Sequence, residues 1–68
     1  MNSKMTEKDF DAYIAGLPVW AQDVIEVMAI NNANDTAIER GEAETNWAVA
    51  INTAAMIWDD PASFGLSL

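Results

Sequence analysis

Glu7 and Asp11 stand four residues apart, and Glu39 and Glu42 three apart, the spacings that set two carboxylates on one helix face. Paired carboxylates are the main acid–base apparatus this composition offers. The chain has no His and no Cys, so it lacks the commonest general base and the most nucleophilic side chain. Hydroxyls occur at Ser3, Thr6, Thr36, Thr45, Thr53, Ser63 and Ser67, with no imidazole to activate one. The lysines, Lys4 and Lys8, are confined to the start of the chain. Both carboxylate pairs fall on polar faces, and a solvated carboxylate is a poor general acid at neutral pH. Asp59 and Asp60 are adjacent and diverge on a helix, so they form no dyad. The residues therefore point away from an enzyme, and no catalytic residue is assigned.

Metal chemistry meets the same shortage. Without thiolates or imidazoles, only oxygen ligands remain. Asn32, Asn34 and Thr36 alternate as the first ligands of a calcium loop do, but Ala37 stands where that loop requires Gly. No Gly-rich turn follows a strand pattern, so nucleotide fingerprints are missing. The expectation is no metal and no cofactor.

Charge is the feature with functional colour. The 68 residues carry 11 acids against 3 bases, a net charge of −8. After Lys8 the sole base is Arg40, so residues 9–68 hold ten acids and one base, a local balance of −9. Such a field repels nucleic acid and anionic lipid, and it attracts and steers basic protein surfaces. The N-terminal segment has no apolar run behind its Lys and does not read as a signal peptide, and no apolar stretch reaches bilayer-spanning length. A cytoplasmic protein with no membrane partner is expected.

The elements that would position these acids are helical. Gly16, Gly41 and Gly65, with Pro18 and Pro61, punctuate the chain as helix ends do. Thr6 and Asp9 form a capping-box pattern, and Phe10, Tyr13, Ile14 and Leu17 follow at helical spacing, predicting a helix over 6–16. Pro18 suits the first position of a second helix over 18–32, with Trp20, Val24, Val27, Met28 and Asn31 on one face. The Asn-rich run 31–35 weakens the helical signal, so a break is placed at 32–35 in preference to Gly41. A third helix is predicted over 35–59, with Ala43, Trp47, Ile51, Ala54 and Trp58 as its stripe. Val49 and Met56 project from its other side. The tail, 60–68, is expected to dock Phe64, Leu66 and Leu68 on the bundle, in preference to a flexible segment that orders on a partner.

The pattern predicts one all-α domain, a small three- to four-helix bundle. A domain this short buries a small share of its surface, and homodimerisation is a further way to complete it. Trp20, Val24, Val27, Trp47, Ile51 and Trp58 are assigned to the core or to an oligomer seam. If residues 35–42 are helical, Asp35, Glu39 and Glu42 follow i, i+4, i+7, which spaces carboxylates about 4.5–6 Å apart along the axis. Phosphates along a nucleic-acid strand have comparable spacing. Asp35, Glu39, Glu42 and Glu44 are accordingly assigned to the partner-facing surface.

In charge, size and helicity the chain resembles the small acidic inhibitors that phages direct against nucleic-acid-handling enzymes, including restriction and CRISPR effectors. The resemblance rests on composition, so it transfers no residue. It implies an anti-CRISPR or anti-restriction type of inhibitor, a partial nucleic-acid mimic that docks on the basic surface of a nucleic-acid-binding protein and does not bind nucleic acid itself. The alternative reading is a structural homo-oligomeric helical scaffold.

Overall fold

A computed structural model describes residues 5–67 of the chain. Ser3, Lys4 and Leu68, which figure in the sequence reading, lie outside the described residues. The described residues form three α-helices, α1 (Glu7–Ala15), α2 (Val19–Glu39) and α3 (Trp47–Asp59), followed by a 3-10 turn at Pro61–Phe64. No strand is present among them. The molecule is a flattened globule of 34 × 26 × 17 Å.

Helix α1 begins where the capping box places it. The Thr6 hydroxyl accepts from the Asp9 amide at 3.3 Å, and the Thr6 amide donates to Asp9 Oδ2 at 2.8 Å. Phe10, Ile14 and Leu17 are buried, and Tyr13 packs half-buried beside them. The end of α1 is held from the next helix. Gln22 Nε2 donates to the Leu17 carbonyl at 2.8 Å and to the Ala15 carbonyl at 3.4 Å, satisfying acceptors that a helix end leaves open. Pro18 stands as the N-cap of α2, one place earlier than the sequence suggests, and Val19 opens the helix.

The expected break at 32–35 does not occur. Helix α2 runs unbroken to Glu39, and two of its three Asn side chains, Asn32 and Asn34, have tertiary partners. Asn32 Nδ2 donates to the Thr53 hydroxyl on α3 at 2.8 Å, and the Thr45 hydroxyl donates to Asn34 Oδ1. Side chains bonded across the molecule no longer compete for their own backbone. Burial does the rest: Ala29, Ala33 and Ala37 continue an inward row begun by Ala21 and Ile25. Gly41 is the true stop. It takes φ +70°, the Glu42 amide donates to the Ala37 carbonyl, and the Gly41 amide donates to the Ile38 carbonyl. This is a Schellman closure, which favours Gly because a left-handed residue carries no Cβ penalty there.

Helix α3 consequently starts at Trp47 and not at residue 35. Asn46 caps it, its Oδ1 accepting from the Ala48 and Val49 amides at 3.0 and 3.2 Å. Its buried residues are Ala50, Thr53, Ala54 and Ile57; Trp47, Ile51 and Trp58 flank them half-buried.

The core is built from small residues. Ala21, Ala29, Ala33, Ala50 and Ala54 are fully buried, with Phe10, Ile25 and Ile57 as the largest enclosed side chains. Alanine rows let α2 and α3 approach closely, which leaves less room for the bulky residues the sequence reading turned inward. The tail docks through Leu66, which is half-buried against the core, while Phe64 stays at the surface.

Candidate functional site

The carboxylates are arranged by the same forces that build the helices. The inward faces are filled by alanine, isoleucine and phenylalanine, so the acids are turned outward. None of the 11 acids is buried: ten are exposed and Glu26 is half-buried. Several serve locally as well. Asp9 closes the capping box, and Asp60 Oδ2 accepts from the Ser63 hydroxyl at 2.5 Å.

Asp35, Glu39, Glu42 and Glu44 are all exposed, but they do not form one helical row. Asp35 and Glu39 lie one turn apart near the C-terminus of α2, about 6 Å along its axis. Glu42 and Glu44 lie on the loop between the Gly41 closure and Asn46. The i, i+4, i+7 arrangement fails because the helix ends at Glu39, so the carboxylates reproduce no straight run of phosphates. The loop borders an open cleft of about 520 Å³ lined by Glu42, Glu44, Thr45, Asn46 and Trp47. Trp47 is also tied to the core, its ring 5.6 Å from that of Phe10.

The residues assigned to a seam divide. Trp47, Ile51 and Trp58 pack half-buried against the core, as does Val24. Trp20 and Val27 do not join it: they are 62% and 57% exposed. The reason is the rotation of α2, whose inward row is Ala21, Ile25, Ala29, Ala33 and Ala37. The face through Trp20, Val24, Val27, Met28 and Asn31 is therefore a flank. Trp20 retains one aromatic contact, with Trp58 on α3, at 5.7 Å between ring centroids.

Beside this flank, α2 and α3 enclose a groove of about 320 Å³ that sequence reasoning did not anticipate. Met28, Asn32, Thr53, Met56, Ile57 and Phe64 line it. The Met56 sulfur accepts from Asn52 Nδ2 at 3.6 Å. The sequence signal was the pair of outward apolar residues on α3, of which Met56 is 54% exposed while Val49 packs half-buried on the core.

Asn32, Asn34 and Thr36 lie within α2 and not on a loop. Among the described residues no cluster of three or more acidic side chains is placed to hold a metal ion, and no helix is long and apolar enough to cross a membrane. No protein family matches the chain, and no curated protein or solved structure is significantly similar to it.

Proposed function

We propose that the chain is a non-catalytic, acidic binding module that docks on the basic surface of a nucleic-acid-handling protein, as an inhibitor or adaptor. One observation carries this reading: all 11 carboxylates lie outside the core, against two bases, Lys8 and Arg40, among the described residues. Charge so placed gives a negative potential over much of the surface, which raises the rate and selectivity of encounter with cationic surfaces. Asp35, Glu39, Glu42 and Glu44 concentrate that charge at the end of α2 and the loop after it. Because their geometry is a bend, the reading rests on potential and not on a copy of the nucleic-acid backbone. Inhibitors of restriction or CRISPR effectors are one class within it.

The test is capture of partners from the native host with the intact chain and with an Asp35→Asn, Glu39→Gln, Glu42→Gln, Glu44→Gln variant. A basic protein recovered by the first, lost with the variant and lost on raising the salt supports the reading. Recovery indifferent to both charge and salt contradicts it.

A homo-oligomeric scaffold is the alternative, favoured by the exposure of Trp20 and Val27. It requires two chains of net charge −8 to meet face to face.

A further inference from the structure

Helix α2 carries an apolar row that the fold covers only in part: Trp20 and Val27 are exposed, while Val24 and Met28 are half-buried against the core. Trp20, Val24 and Met28 recur every four residues, and Val27 lies seven residues from Trp20. The row borders α3 at both ends, through Trp20 against Trp58 at 5.7 Å and through Asn32 bonded to Thr53 at 2.8 Å. Between those ends lies the groove, whose apolar lining is Met28, Met56, Ile57 and Phe64 and whose polar lining, Asn32 and Thr53, is bonded to itself. From Trp20 to Met28 the row extends about 12 Å, enough to meet anchors at i, i+3 or i+4, and i+7 of a docked helix. Methionines at the groove supply flexible, adaptable lining.

Charge selects the occupant. The row and the groove contain no charged side chain. Exposed acids border them: Asp23 is three residues from Trp20 and four from Val27, Asp35 is seven from Met28, and Asp59 is three from Met56. Neither Lys8 nor Arg40 falls in the segments that form this face, Trp20–Asp35 and Asn52–Phe64. An acid-rimmed apolar floor repels a second copy of itself and complements a helix whose apolar stripe is flanked by cations.

We propose that the exposed apolar row of α2, together with the groove beside it, receives an amphipathic helix with apolar anchors and a Lys- or Arg-rich rim, contributed by the basic partner. This rests on the binding-module reading above and adds the face and the chemistry of the segment it takes.

Two synthetic peptides of identical Leu/Lys composition and roughly 18 residues test it, one patterned as an amphipathic helix and one scrambled to remove the apolar stripe. Calorimetry at moderate salt should show the patterned peptide binding on the order of tenfold tighter than the scrambled one. Trp20→Ala and Val27→Lys should each weaken it by about the same factor, with circular dichroism unchanged. Val27 is exposed, so Val27→Lys keeps the test decisive if Trp20→Ala fails to fold. Equal binding of both peptides, or two folded variants that bind as the native chain does, overturns the groove and leaves a basic partner standing. Failure of both peptides to bind even at low salt overturns both. Sedimentation should show a monomer; a dimer that Val27→Lys dissociates assigns the face to a second copy and overturns the proposal.

Discussion

Asn32 on α2 donates its side-chain amide to the hydroxyl of Thr53 on α3 at 2.8 Å, tying two helices together across 21 residues of sequence. Thr53 is the one buried polar residue among the described residues, and this bond satisfies its oxygen. Replacing Thr53 with Val removes the acceptor while nearly keeping the volume. Asn32 is exposed and can turn to water, so the loss should be about 1 kcal/mol. Urea unfolding of the variant checks this; a loss several times larger would mean the bond organises more than one contact.

Gly41 and Gly16 look alike in the sequence and should respond oppositely to alanine. Gly41 has φ +70° with open space around it, so Gly41→Ala should cost about 1 kcal/mol from backbone strain alone. Gly16 has φ −79°, and a Cβ there meets its nearest neighbour at an ordinary 3.4 Å. Gly16→Ala should be neutral or stabilise by up to roughly 1 kcal/mol, by restricting the unfolded chain. Thermal melts of the two variants, compared with the native chain, separate the cases.

The alanine rows set how closely α2 and α3 pack. Ala29 is fully buried, and Ala29→Leu adds three heavy atoms to a filled interface. It should destabilise by about 1–3 kcal/mol through overpacking. Full native stability in the leucine variant would show that the helices are less tightly apposed than the structure indicates.

Thr6→Ala removes the hydroxyl that receives the Asp9 amide at the start of α1. The expected cost is about 1 kcal/mol, or some 4–8 °C in melting temperature for a domain of this size. Differential scanning calorimetry reads it directly.

The helical class, the first helix and its cap were legible in the sequence because their signals are local: Thr6 with Asp9, then Phe10, Ile14 and Leu17 at one spacing. The extent of α2 was not, because what carries it through Asn31–Asp35 is tertiary. Asn32 and Asn34 read as helix breakers until Thr53 and Thr45 are placed beside them. Gly41, the actual stop, carries a local signal that the Asn run outweighs until those bonds are placed. The rotation of α2 is hidden in the sequence for a different reason. Hydrophobicity draws Trp20 and Val27 inward, whereas close helix packing selects the alanine row one position away. Asn46 has the type and place of an N-cap before Trp47, a signal masked by the helical pattern that runs on from residue 35. Exposure of Asp35, Glu39, Glu42 and Glu44 followed from their charge, but their relative geometry depended on where α2 ends.

The dependence of association rate on salt tests the electrostatic claim most directly. The pair to measure is the chain and the basic protein recovered with it, from about 50 to about 500 mM salt. The native chain should lose on the order of tenfold or more in association rate across that range, and the Asp35→Asn, Glu39→Gln, Glu42→Gln, Glu44→Gln variant should start slower and show a shallower slope. Equal rates and equal slopes for the two proteins would contradict a role for the carboxylates of residues 35–44 in recognition.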